Sequence, residues 1–372
     1  MKKVAIVTLP LHTNYGGILQ AYALQTVLQE ADCRVQVICK NEKPYISWKK
    51  EIVKYYRRYV LGRKNVQLAS RTGYREALRV RKYTDRFIKE RVSRRMIYDF
   101  RELKEKEYDC IVVGSDQVWR PRYFCAWYGE IYDAFLEFAK DWNVQRIAYA
   151  ASFGVSEWEY DNEQTQRCSQ LLKLFDTVSV REESGVELCK KNLGRKDTVL
   201  VIDPTMLLPK DHYLKLADTV PPYKGKLMCY ILDMNPLAKK FIGAVSETYD
   251  VTPFYTGSKV EDPKAKLEER IQPAVEKWLA GFRDAEYVLT DSFHACVFAI
   301  IFNKPFIVIG NTDRGNSRFD SLLSVFGLQN RFITSVDGLR NVTDINWDDV
   351  NTKVCQLRQR SMRFLKGALK ND

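Results

Sequence analysis

The residues best suited to chemistry lie in one stretch, Thr290-Asp291-Ser292-Phe293-His294-Ala295. Before it stands Tyr287-Val288-Leu289, which reads as a buried strand, and after it Cys296-Val297-Phe298-Ala299-Ile300-Ile301, which reads as the start of a buried helix. Titratable groups at a strand-to-helix junction suit an anion-handling site. A helix N-terminus offers unfilled N–H groups and a partial positive charge. His294 is one of three histidines in 372 residues, and imidazole changes protonation near neutral pH.

Further polar groups follow other apolar runs. Asn14-Tyr15-Gly16-Gly17 comes after a strand expected at 4–9 and before a helix expected at 18–31, which carries Gln20. Paired glycines permit a tight turn or close approach of backbone to a ligand. Neither G-x-G-x-x-G nor a Walker pattern is present, so the loop gives little support for a nucleotide. Gly114-Ser115-Asp116-Gln117 follows an apolar strand at 110–113. Asp116 either takes a proton from a sugar hydroxyl or caps a helix. Arg181, after a strand at 177–180, either clamps a carboxylate or phosphate or pairs with Glu182 and Glu183. Arg314 and Arg318 sit in a polar loop after a strand at 306–309. They reach the same anion, or stand as solvated loop charges. His12 is a weaker candidate, and His212 reads as incidental.

Apolar runs of four to seven residues alternate with helical patterns along most of the chain, which predicts parallel sheets buried on both faces. The rhythm restarts at 198–202, after a seam expected between 192 and 209. The expected fold class is therefore α/β, with an N-terminal domain over 1–195 and a C-terminal domain over 196–346. An amphipathic helix at 347–372 then packs at the domain junction. Residues 45–106 break the alternation and read as a helical insertion of two or three helices in the N-terminal domain.

The charge is uneven. The net value is +12, yet between Lys40 and Glu107 there are 22 Lys and Arg against 9 Asp and Glu, leaving the rest of the chain near −1. Nine scattered cysteines without a C-x-x-C pair support neither a zinc site nor a redox motif. Their odd number, without a recognisable signal peptide, points to the cytoplasm. No run reaches the ~18 apolar residues of a membrane span.

Six segments together resemble the polysaccharide pyruvyl transferase family. They are Asn14-Tyr15-Gly16-Gly17-Ile18-Leu19-Gln20-Ala21-Tyr22-Ala23-Leu24-Gln25, Gly114-Ser115-Asp116-Gln117-Val118-Trp119, Tyr149-Ala150-Ala151-Ser152-Phe153-Gly154, Ser179-Val180-Arg181-Glu182, Asp203-Pro204-Thr205 and Thr290-Asp291-Ser292-Phe293-His294. The matches run in order from about residue 3 to residue 331, and six in order are far more specific than any one.

The resemblance implies two Rossmann-like domains facing a cleft, the glycosyltransferase-B type. It implies phosphoenolpyruvate as donor and co-substrate, with no other cofactor and no metal. The acceptor would be a sugar of a surface polysaccharide or its lipid-linked precursor, and the product a cyclic pyruvate ketal. It places Arg181 and His294 in the donor pocket with a basic residue from the following loop, Arg314 or Arg318. Many members have glycine where this chain has Ala295, and some carry arginine where it has Ser292; the serine leaves the pocket one positive charge poorer, so another basic residue compensates or the donor binds more weakly. His294 is expected as general acid or phosphate ligand, and Asp116 or Asp291 as general base. Asn14, Tyr15, Gly16, Gly17, Gln20, Ser115, Asp116 and Gln117 are expected on the acceptor side.

The basic insertion, with its interleaved Trp and Tyr, is expected either to touch anionic membrane at the cytoplasmic face or to be a solvated helical surface. The alternative function is a nucleotide-sugar-dependent glycosyltransferase of the same fold. A nucleic-acid binder is not expected, since that role leaves the strand-end residues unexplained.

Overall fold

A computed structural model describes residues 1–41, 48–62, 71–262, 264–310 and 317–370. The short apolar runs form parallel strands in two sheets. The first sheet holds β1 (Lys2–Val7), β2 (Cys33–Lys40), β3 (Arg94–Ile97), β4 (Cys110–Val113), β5 (Gln145–Ala151), β6 (Thr177–Val180) and β7 (Val199–Leu200). Their order is β3-β2-β1-β4-β5-β6-β7, with every neighbour parallel. The second sheet holds β8 (Leu227–Tyr230), β9 (Pro253–Tyr255), β10 (Tyr287–Thr290), β11 (Phe306–Ile309) and β12 (Phe332–Ile333), in the order β12-β11-β10-β8-β9, again all parallel. All four residues of β4 and of β11 are buried, as expected where helices cover both faces. Two parallel-sheet α/β domains are thus what the alternation of strands and helices predicts, and their Rossmann-like pairing across a cleft is what the family resemblance implies.

In each sheet the chain leaves its first strand toward one side and returns to the other. The reversal lies between β1 and β4 in the first sheet and between β8 and β10 in the second. Loops leaving the carboxyl ends of such a pair diverge and open a crevice. Those loops carry Asn14, Asp116 and Ser292, and His294 follows in the first turn of the next helix.

Three details differ from the sequence reading. Val199 and Leu200 pair with Ser179 and Val180, so β7 closes the first sheet instead of starting the second. A two-residue edge strand beside Pro204 has too little pattern to declare its partner. The insertion also contains a strand: β3, Arg-Arg-Met-Ile, pairs with β2 through register Val37↔Arg94, though it lacks the alternation that would reveal it. Nor does the insertion touch the N-terminal domain alone. Gln272 N donates to Val80 O at 2.7 Å, and Arg86 Nη2 lies 3.5 Å from Glu276 Oε2.

The two domains share a core. The helix Tyr15–Glu30 is buried at 13 of its 16 positions, which accounts for its apolar character all round. Its Tyr15 ring stacks on Trp278 at 5.1 Å and its hydroxyl donates to Pro273 O at 2.7 Å. The last helix, Trp347–Lys370, spans both domains: Arg358 Nε donates to Met206 O, while Lys2 Nζ and Gln145 Nε2 donate to Leu369 O and Ala368 O. Among the described residues no helix is long and apolar enough to cross a membrane.

Candidate active site

Between the facing strand ends lies a cleft of about 940 Å³, lined on the N-terminal side by Asn14, Asp116 and Gln117 and on the C-terminal side by Ser292, His294 and Arg318. Its volume is at the upper end of the ~300–1,000 Å³ usual for small-molecule sites.

Charged groups are linked in a chain at its base. Arg181 Nη2 donates to Asp116 Oδ1 at 3.0 Å and Nη1 to Asp203 Oδ2 at 2.8 Å. The same Asp203 oxygen lies 3.5 Å from His294 Nε2. Asp203 Oδ1 accepts from Thr205 N and Oγ1, which fixes the carboxylate. Asp116, Arg181 and Asp203 come from the ends of β4, β6 and β7, and His294 crosses from the first turn of the helix Phe293–Ile301. One ion-paired array thereby joins both domains.

Burial alone would push both aspartates up. For Asp116 the charges of Arg181, His294 and Arg318 outweigh it and hold the carboxyl below the usual range. For Asp203 the neighbouring His294, then the Arg181 charge, hold it well below. Burial pulls Arg181 down, yet Asp116, Asp203 and Glu182 together raise it. Arg318 has the opposite balance. Burial, then the neighbouring Arg181 charge, bring it down to about 10, so it remains a cation at neutral pH. Both guanidiniums lie against the Phe293 ring, Arg181 at 4.5 Å and Arg318 at 5.5 Å from its centroid.

Not every sequence candidate faces the cleft. The Arg181 side chain is 1% exposed and sits behind Asp116 and Asp203, so it holds carboxylates where an anion clamp was expected. Asp291 borders the cleft, but its two oxygens accept Leu232 N at 2.7 Å and Asp233 N at 2.9 Å. The carboxylate expected as a base ties down the loop after β8. Gln20 and Ser115 lie beneath the wall: Gln20 Nε2 donates to Thr8 Oγ1 and Gly17 O, and Gln20 Oε1 accepts Ser115 N. Tyr15 is a peg between domains. Asn14 borders the cleft and caps its helix by accepting from Gly16 N. Arg314 lies outside the described residues. His12 contacts Arg81 at 3.2 Å, and burial, then Arg81, bring it down to about 4. His212 meets Tyr22 Oη at 2.8 Å.

The glycine pair has separate duties. A Cβ on Gly16 would fall 2.0 Å from His294 Nδ1, so the imidazole rests directly on the glycine backbone. A Cβ on Gly17 would meet Asn14 Nδ2 at 3.4 Å, an ordinary contact. Gly16→Ala is therefore expected to cost about 1–3 kcal/mol through displacement of the ring or helix. Gly17→Ala is expected to be near neutral or slightly stabilising. Urea midpoints of the two variants, measured side by side, check the contrast.

Sequence reasoning gave Asp203 no role, although it quoted the Asp-Pro-Thr motif that contains it. A proline directly after an aspartate at a strand end was the available signal. It also passed over Glu182 as an anchor, whose Oε1 accepts Ser152 Oγ, Phe153 N and Gly154 N. The cleft residues Tyr230, Tyr255 and Lys239 carried no local pattern. Among the described residues no group of three or more His, Cys, Asp or Glu is placed to hold a metal.

The polysaccharide pyruvyl transferase family model matches residues 14–314, which takes in the glycine pair, the ion-paired array and the His294 helix. The chain belongs to the polysaccharide pyruvyl transferase family. This pyruvyl transferase family member is similar in fold to a glycosyltransferase from Rickettsia africae ESF-5, with TM-score 0.52 at 9% identity and all of both chains covered. It is also similar to the UDP-GlcNAc 2-epimerase of Neisseria meningitidis, with TM-score 0.50 at 11% identity over all of both chains. At these identities the likeness is of fold alone. No curated protein matches the chain. Family membership makes this pyruvyl transferase homologue a transferase.

Proposed function

We propose that the protein transfers the pyruvate moiety of phosphoenolpyruvate onto two hydroxyls of one sugar in a surface polysaccharide or its lipid-linked precursor. The observation that carries this reading is His294, held by Asp203 at the base of a cleft that Arg318 also lines.

The donor carries a carboxylate and a phosphate, so it calls for cations and helix N–H groups. Arg318 and Lys239 are cations lining the cleft, and the first turn of the helix Phe293–Ile301 opens toward it. Ser292 makes no side-chain cap bond there, which leaves its hydroxyl for the donor. Arg318 stands in for the arginine that some relatives carry at the position of Ser292.

In the reaction, His294 gives a proton to the donor's methylene carbon, which becomes the methyl group. A sugar hydroxyl adds to the adjacent carbon, the C–O bond to phosphate breaks, and a second hydroxyl closes the ketal. The two hydroxyl protons end on His294 and on the departing phosphate, so the enzyme returns to its starting state. Asp116, the carboxylate nearest the glycine loop, takes the proton of the attacking hydroxyl and relays it to the departing phosphate. Its depressed pKa keeps it ionised but makes it a weak base, so it suits a hydroxyl already attacking a cationic centre. Asn14 and Gln117 border the acceptor side. The reading requires no further cofactor and puts the reaction in the cytoplasm.

Mass spectrometry of candidate glycans incubated with the enzyme and phosphoenolpyruvate tests it. The expected result is one added pyruvate ketal per acceptor with one phosphate released. Thermal shifts produced by nucleotide sugars and absent with phosphoenolpyruvate would favour a nucleotide-sugar glycosyltransferase and overturn the proposal.

A further inference from the structure

The helical segment 48–62 presents a surface that the reaction does not use. It runs as the helix Trp48–Tyr55 and continues through Tyr56–Val60. From Ile52 to Gly62 every described side chain except that of Lys54 is exposed. The apolar members are far out in solvent: Ile52 58%, Tyr55 58%, Tyr59 59% and Val60 63% exposed. A helix this short is marginal on its own in water and normally gains its stability by burying an apolar face. Singly exposed apolar residues are ordinary, but a contiguous run of large ones on one short element marks an interaction surface.

The charge of the segment selects among partners. Within 48–62 the sequence has Lys49, Lys50, Lys54, Arg57 and Arg58 against Glu51 alone. The wider block from 40 to 107 carries an excess of +13 in a chain whose remainder is near −1. A second copy would set two cationic helices against each other, which Coulomb repulsion opposes. Nucleic acid would meet the charge but leave Ile52, Val53 and Val60 in water. An anionic bilayer surface meets both demands, since its headgroups pair with Lys and Arg while aliphatic and Tyr side chains enter the interface.

We propose that residues 48–62 form a docking element for an anionic lipid surface. In sequence the element lies in the same insertion whose Val80 and Arg86 touch the second domain. The inference does not depend on which reaction the cleft performs.

Co-sedimentation of the full chain with vesicles tests it. Phosphatidylcholine vesicles with and without phosphatidylglycerol are compared at low and high salt. Binding is expected only with phosphatidylglycerol, falling roughly tenfold or more at high salt as charges are screened. Lys54→Glu with Arg57→Glu is expected to abolish the preference for anionic vesicles. Tyr55→Ser with Tyr59→Ser should weaken binding while keeping that preference, and circular dichroism of both variants should match wild type. Three results would overturn the proposal: no binding to phosphatidylglycerol vesicles at low salt, binding unaffected by either variant, or a dimer in solution that the tyrosine variant dissociates. A salt-sensitive gel shift with DNA or RNA, in the absence of vesicle binding, would assign the surface to nucleic acid instead.

Discussion

Replacing His294 with alanine is expected to slow phosphate release from phosphoenolpyruvate by roughly 10²–10⁴-fold, the usual contribution of a positioned acid or base. The geometry isolates this residue well. His294 rests on Gly16, its Nε2 lies 3.5 Å from Asp203, and no other histidine borders the cleft. Removing the ring leaves Arg181 paired with both Asp116 and Asp203, so the fold should survive. The kinetic split identifies the role. A proton donor acts in the transition state, so its loss lowers kcat with little change in KM. A phosphate ligand acts in the ground state as well, so its loss raises KM for phosphoenolpyruvate. Asp203→Asn keeps the shape and removes the charge facing the imidazole, and should lower turnover in the same direction by a smaller factor. Turnover of His294→Ala within about tenfold of wild type would remove the histidine from the chemistry.

The legible part of this protein was whatever a local pattern carries. Parallel sheets follow from apolar runs such as Cys110-Ile111-Val112-Val113, since only a strand covered on both faces needs apolar residues at every position. The glycine pair, Asp116, Ser292 and His294 were legible because strand ends in such folds are where ligands meet the chain. What the sequence hid was long-range pairing. Arg181 has two acidic neighbours in the chain, yet its closest partners are 65 and 22 residues away, at Asp116 and Asp203. An arginine at a strand end looks the same whether it faces the cleft or lies under it. Asp291 was misleading for a similar reason: only folding brings Leu232 N and Asp233 N to its oxygens. The strand β3 escaped because four residues are too few for a period to register, and the strand read at 198–202 was given to the wrong sheet because two paired residues do not declare a partner.

Arg181→Met should be the most damaging single change to stability, at about 3–5 kcal/mol, because it takes from buried Asp116 and Asp203 the guanidinium that pairs with both, leaving Asp203 to His294 and Asp116 to the weaker fields of His294 and Arg318. Against a typical total of ~5–15 kcal/mol, a loss of that size leaves a fold close to unfolding. Asp116, Asp203 and Glu182 are each at most 3% exposed, so water cannot replace the guanidinium. The pH dependence distinguishes this loss from one of packing. In the wild type Asp116 and Asp203 have folded pKa values below the ~3.9 of an unfolded aspartate. They stabilise the fold above that value, and the stability is lost as pH falls through their lower folded values. Without Arg181 the folded values rise, so acid relieves the variant before it harms the wild type. The gap in urea midpoints should be widest near neutral pH and should narrow between about pH 6 and pH 4. A gap that stays constant over that range would mean the guanidinium contributes packing against Phe293 more than charge. Arg181→Lys sharpens the distinction from a donor clamp, because one ammonium cannot span Asp116 and Asp203 as two guanidinium nitrogens do. A buried counter-ion predicts lost stability with KM for phosphoenolpyruvate nearly unchanged in the folded fraction. A clamp reaching into the cleft predicts the reverse, a raised KM in an enzyme that still unfolds where the wild type does.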